Sequence, residues 1–327
     1  MINFFASSNP FRIKGRNQAF DTLKGILILC VFLGNFMHTI PPSNQLLAYL
    51  YLFHIPLFVF ISGYFSRRFN LKSITLLTAI YLLYGLVFNP ENPDCTIGGL
   101  LHNPPSYMWY IESLIFWRLM QPLTSLLLRR AKLPVLCSFF ALGLGVGYLP
   151  YDISTFNISR TLSYWPLFVL GSTVSDTELR TAVNYFSRFK LIFYNLLIIL
   201  FSISFTFITP TWYLDLYNKY NYAGTFWGDF GIIIRSAQFI SAAIIGITLT
   251  RITLSHPSAF LSLIGRHTLL IYIFMAYTLS SYSHLWRELW LPLWLNLSLG
   301  ILTILLCSWF LARLSETCRS LLPFRHG

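Results

Sequence analysis

The chain has 327 residues, of which 55% are hydrophobic, 18% aromatic and only 10% charged, and its mean hydropathy is +0.61. Water-soluble domains carry about 25% charged residues, so a soluble globular protein is excluded and a polytopic membrane protein is expected. A net charge of +12 would suit a nucleic-acid partner, but where the charges fall points to topology instead.

Ten apolar stretches read as membrane spans, at roughly 20–38, 46–65, 71–88, 107–128, 133–149, 161–176, 190–209, 230–250, 268–285 and 289–312. With the N-terminus placed in the cytoplasm, 18 of the 23 Lys and Arg residues fall in inside segments. The outside loops hold Arg160, Lys219 and Arg287, while Arg118 and Arg235 lie within spans. This is the positive-inside pattern, so both termini are expected inside and no nucleic-acid partner is expected. The spans read as a single all-α domain over residues 1–327, with a basic N-terminal segment (1–19) and a basic tail (313–327). The N-terminus shows no signal-peptide core with a small-residue cleavage site, and no polar stretch is long enough for an appended soluble domain. The five cysteines show no paired spacing and three fall in apolar spans, so neither a disulfide framework nor a metal site is expected.

In chain order, the first span is preceded by Arg12, Lys14 and Arg16, opens at Asp21 and Lys24, and ends at Asn35 and His38. Lys24 and Asn35 are about 16 Å apart along a helix. Polar groups on an apolar span are costly, and by default they mark a site facing the bundle interior. The second span carries FHIPLFVFISGYFSR, with His54 and Pro56 mid-span, Ser62 and Gly63 suited to close helix approach, and Arg67 and Arg68 at its end. His54 reads equally as a satisfied interior histidine, and the two arginines as topogenic.

The segment 89–106, with two acids and no base, reads as an outside loop in which His102 is solvated. The fourth span holds Glu112 and Arg118, six residues and thus about 240° apart, so they do not face each other. Arg118 either snorkels to the interface or serves a site; Glu112 reads as the deeper of the two. Arg160 stands at the outside mouth of the sixth span, where it would bind an acidic or sugar substrate or pair with Asp152. An inside loop with Arg180, Arg188 and Lys190 follows. The outside loop 209–230 is rich in Trp, Tyr and Asn and reads as an interfacial belt more readily than as a sugar-stacking surface. Arg235 requires an acidic or carbonyl partner, and Asp229 is near in sequence.

Five blocks carry a resemblance. The run D-x-L-K-G-I-x-I-L-x-V-x-L-G from Asp21 resembles the first transmembrane helix of the acyltransferase-3 family. These are integral-membrane enzymes that move acyl groups, usually acetyl, from a CoA thioester to sugars and polysaccharides. FHIPLFVFISGYFSR resembles the family's second-helix signature. Trp109, Leu114, Trp117 and Arg118 fit its W-F/Y-x-x-x-L-x-x-W-R block, and Ser159-Arg160 leading to Gly171 resembles its approach to a helix ending F-x-x-G. Gly265, Thr268, Leu269 and Tyr272 fit a late block, I-G-x-x-S/T-L-x-I-Y-x-x-H. The family spaces a basic residue ten residues before an essential histidine. Here Lys24 is the basic residue, Asn35 stands at the histidine position, and Met275 replaces the histidine of the late block.

The resemblance implies a ten-helix inner-membrane bundle that O-acetylates a saccharide or lipid-linked glycan from acetyl-CoA, surrounded by membrane lipid and compatible with a homo-oligomer. A base must take the hydroxyl proton, and asparagine cannot. His38, three residues on and about 4.5 Å along the same helix face, is one replacement; His54 is another; loss of catalysis is the third. Lys24, Arg16, Arg67 and Arg68 would dock the anionic donor, with Asp21 orienting Lys24 or a donor group. Asn35, Glu112, Arg118 and Arg160 would line the substrate path. The rival reading is a family member without the chemistry, binding glycan or acyl donor or serving a transport component. A secondary transporter is disfavoured because no internal repeat is visible.

Overall fold

The computed structural model describes residues 18–38, 44–87, 108–149, 157–219, 221–225, 227–289 and 292–321, and every regular element among them is helical. The chain begins with α1 (Gln18–Phe36), α2 (Asn44–Phe65) and α3 (Leu71–Val87). Then come α4 (Trp109–Leu119), α5 (Gln121–Arg130), α6 (Lys132–Gly145) and α7 (Ile158–Thr173). The second half holds α8 (Asp176–Tyr185), α9 (Arg188–Ile208), α10 (Gly231–Ser255), α11 (Ala259–Arg266), α12 (Thr268–Leu289) and α13 (Leu293–Leu321).

Among the described residues, five helices are long and apolar enough to cross a membrane: Gln18–Phe36, Asn44–Phe65, Arg188–Ile208, Gly228–Ser255 and Trp294–Cys318. A sixth is added if α11 and α12, bent by 83° at their junction, count as one. The other stretches read as spans are shorter or broken. The stretch 107–128 divides at Met120, where Pro122 starts α5 as a separate helix. Residues 177–190, expected as a loop, begin with α8, whose start is fixed by a capping box between Ser175 and Glu178.

α1 and α2 form the centre, and each is crossed by a partner through a pair of glycines. A Cβ on Gly25 of α1 would lie 2.1 Å from the Leu261 carbonyl oxygen, and one on Gly265 of α11 would lie 1.7 Å from that of Asp21. Gly63 of α2 and Gly171 of α7 stand in the same relation to Phe168 and Phe60, at 2.0 and 2.1 Å. Backbones this close leave no room for any side chain, which is how apolar helices gain van der Waals contact where the hydrophobic effect offers nothing.

The segment 209–219 corrects the belt reading. Trp212 and Leu216 are fully buried, and the Trp212 indole donates to Thr206 Oγ1 at 2.9 Å. A 3₁₀ segment, Trp212–Tyr217, ends at Asn218 in the left-handed conformation (φ 54°). Asn218 donates to Gln238 Oε1 of α10 at 2.8 Å, while Gln238 Nε2 donates to the carbonyls of Leu216 (2.8 Å) and Tyr51 (2.9 Å). One buried glutamine thus ties the segment to both α10 and α2.

Candidate functional site

That tie brings Tyr217 against the far end of α1. The chain leaves α1 after Phe36, and His38 in the following turn is exposed. Its Nε2 is in hydrogen-bond contact with the Tyr217 hydroxyl and lies 3.3 Å from that of Tyr51. Burial, with Tyr51 beside it, raises the Tyr217 phenol well above its ordinary value, so it stays protonated. Asp215, on the same segment, has one carboxylate oxygen buried without a partner, and burial pushes its carboxyl up to about 6.

Behind His38 lies a cavity of about 230 Å³. Asn35 and His38 reach it from the first-helix region, Tyr51 and Phe58 from α2, and Trp109 and Tyr110 from α4. Arg160 and Tyr164 of α7, Tyr217, and Tyr272 and Met275 of α12 complete its wall. Asn35 Nδ2 donates to the Val31 carbonyl at 2.9 Å and lies 3.8 Å from Met275 Sδ. The two positions where the resemblance expects histidine are therefore in contact, as an amide against a thioether. The Arg160 guanidinium lies over the Trp109 ring at 4.9 Å. A second space of about 30 Å³ shares Phe58, Tyr110 and Tyr272 with the first and extends to Arg118 and Thr268. Between the two, Tyr110 is hydrogen-bonded to Ser62 at 2.6 Å.

Of the residues singled out in the sequence, the structure brings Asn35, His38 and Arg160 together on this cavity. His54 is fully buried and outside its lining; Nδ1 sits 2.5 Å from the Leu50 carbonyl, its ring packs on Tyr51 at 4.7 Å, and Nε2 has no hydrogen-bond partner. Asp21 and Lys24 lie at the opposite end of α1, paired at 2.6 Å and each 6% exposed, with Lys24 over the Phe65 ring. Arg67 donates to the Val174 carbonyl at 2.5 Å, pairs with Asp176 at 3.2 Å and stacks on Tyr64. Arg68 is exposed. Arg16 and Asp152 lie outside the described residues.

The depths of Glu112 and Arg118 are the reverse of the sequence reading. Arg118 is buried and donates to Ser73, whereas Glu112 lies in the first turn of α4, half-buried, and accepts from Asn157 at 2.9 Å. Neither lines the main cavity. Arg235 finds a carbonyl partner, Gly143 O at 2.9 Å, and not Asp229. The residues that sequence reasoning missed are the tyrosines, Tyr217 and Tyr51 above all. The aromatic clustering of the 209–230 loop was the only signal of Tyr217, and Tyr51 in α2 had none.

A helical membrane bundle with a half-open aromatic cavity, holding a histidine, an amide and an arginine at the end of its first helix, defines a membrane protein with a small-molecule site. Residues 17–313 match the acyltransferase-3 family model, described as an acyltransferase domain, and the chain belongs to that family of membrane acyltransferases. No curated protein and no solved structure matches it.

Proposed function

We propose that this protein transfers a short acyl group, acetyl foremost, from an acyl-CoA to a hydroxyl of a saccharide or cell-surface glycan. The observation that carries this is the position of His38, on the cavity edge with two phenols on its Nε2. Imidazole is the side chain whose ordinary titration range suits a base near neutrality. Because Nε2 is engaged by Tyr217, the acceptor hydroxyl passes its proton to the Tyr217 oxygen as Tyr217 hands its own to His38. The hydroxyl oxygen attacks the thioester carbonyl carbon, the C–S bond breaks, and the CoA thiolate leaves with the proton from the imidazolium. Asn35 binds by hydrogen bond and takes no proton.

On the positive-inside reading the Asp21–Lys24 end of α1 is cytoplasmic, as are both termini, in a multi-pass protein of the inner or plasma membrane. The donor enters from that side, where Arg68 is exposed and Arg67, paired with Asp176, is half-buried and within reach of CoA phosphates, while Lys24 is held under the crossing by Asp21. Its thioester reaches the cavity past Arg118 and the shared Tyr110 and Tyr272. His54, walled off from the cavity, is not needed as base.

The contact between Asn35 and Met275 favours a second reading, a family member that has kept the cavity without the chemistry and binds glycan or acyl donor or serves transport. CoA release by the purified protein, given acetyl-CoA and a mixed glycan acceptor, separates the two. Release that His38→Ala abolishes and His54→Ala spares supports the enzyme. Silence in the wild type, with release appearing in Asn35→His, establishes the second reading.

A further inference from the structure

Among the described residues, the other arginines that the bundle buries or half-buries all have partners. Arg67 pairs with Asp176 and Arg266 with Glu316. Arg118 donates to Ser73, Arg235 to the Gly143 carbonyl and Arg251 to that of Phe186. Arg160 differs: among the described residues its guanidinium has neither an ion pair nor a hydrogen bond, only the ring of Trp109 and the nearby phenols of Tyr51, Tyr164, Tyr217 and Tyr272. Yet among the described residues that line its cavity there is no Asp or Glu. A guanidinium inside a membrane bundle with no carboxylate partner is costly, and the Trp109 ring and neutral phenols offset only part of that cost.

The rest of the wall says what kind of molecule carries the missing anion. It is built from Tyr51, Trp109, Tyr110, Tyr164, Tyr217 and Tyr272, rings with polar tips that pack on flat apolar faces and hydrogen-bond at their edges. At about 230 Å³ the space is smaller than the roughly 300–1,000 Å³ of pockets for drug-sized ligands. It suits one sugar ring and its substituents.

We infer that the cavity takes an acidic saccharide unit, whose carboxylate or phosphate Arg160 receives as a bidentate pair. This deepens the proposed function by naming the acceptor's class, and rests on that reading only for what happens after binding. The test therefore reads binding alone. Glucose, glucuronate and glucose 6-phosphate are titrated onto the purified full-length protein in detergent by saturation-transfer NMR. At least one of the two anions binds about tenfold or more tighter than glucose, as one charge-assisted bidentate contact provides. Which one it is tells a carboxylate sugar from a phosphorylated one. Added salt weakens the anion and leaves glucose unchanged.

Arg160→Gln removes the preference while glucose binding persists. Should that variant fail to fold, Arg160→Lys keeps the charge but not the fork and shrinks the preference. Equal affinities, binding of neither anion, or a preference that survives Arg160→Gln each overturns the inference. Anion binding without CoA release under any acceptor would instead defeat the acyl-transfer reading and leave this one standing.

Discussion

The two ends of α1 carry similar polar residues under opposite conditions. At one end Asp21 and Lys24 satisfy each other at 2.6 Å, sealed beneath a helix crossing that no side chain can enter. At the other, Asn35 and His38 stand on the edge of a cavity, and the partners of His38 are phenols contributed by α2 and by a loop 179 residues away in sequence. A buried charge pair beneath a close helix crossing holds a helix in place. A titratable group whose partners can exchange protons is available for chemistry. Polar residues of one helix therefore serve structure at one end and, on the proposed reading, chemistry at the other, and what separates them is packing.

Substitutions at the two ends should behave accordingly. The largest effect falls at the open end: on the proposed reading, His38→Ala lowers CoA release by about a hundred- to ten-thousand-fold, with little change in melting temperature because the side chain is exposed. A variant that unfolds instead would put His38 on the structural side of the comparison. At the closed end, Asp21→Asn removes the carboxylate paired with a buried ammonium and costs about 3–5 kcal/mol of stability. Removing both charges with Asp21→Asn and Lys24→Met recovers much of it, and thermal denaturation of the single and double variants in the same detergent measures the difference. If the double variant is no better than the single, the pair is not what holds that end together.

Gly265→Ala tests the crossing itself. Its Cβ would overlap the Asp21 carbonyl, so α1 and α11 must separate, at a cost of about 1–3 kcal/mol; unchanged stability would show that the crossing is loose. Tyr217→Phe sharpens the open end by removing only a hydroxyl. It slows transfer by about tenfold, in kcat more than in KM, and barely moves stability. A rise in KM with kcat unchanged would make Tyr217 a binding residue and not part of the proton path.

The smallest effect is one of pH. A carboxyl raised from 3.8 to about 6 by burial is favoured in its neutral form when folded. Its contribution to stability is thus fully present below 3.8 and is lost as the pH rises through about 6. The melting temperature should decline over that interval, and Asp215→Asn should flatten the decline. A profile identical in wild type and variant would remove Asp215 from the account of how the Tyr217 segment docks.

Much of this could be read from the chain itself. Ten per cent charge and long apolar runs dictate a membrane bundle, because lipid tolerates little else. The spacing of Lys24 and Asn35 and the five blocks carry the family. The polar ends of the first span follow from the cost of placing such groups in an apolar helix. Gly63 was visible as a close-approach residue because only glycine lets helix backbones touch.

What packing alone decided is which polar residues meet. His54 and His38 look like equal candidates in sequence. In the fold one packs behind Tyr51 and the other stands against the phenols, since a single turn past Phe36 carries His38 clear of the helix. Arg118 and Glu112 exchanged depths because the fourth stretch breaks at Met120 and places Glu112 in the first turn of a short helix. Tyr217 belongs to the cavity only because Gln238, a buried residue with no visible role in the sequence, gathers backbone groups from two other segments. Local sequence fixes the cost of each polar group, but its partner comes from distant segments that only the tertiary fold brings within hydrogen-bond reach.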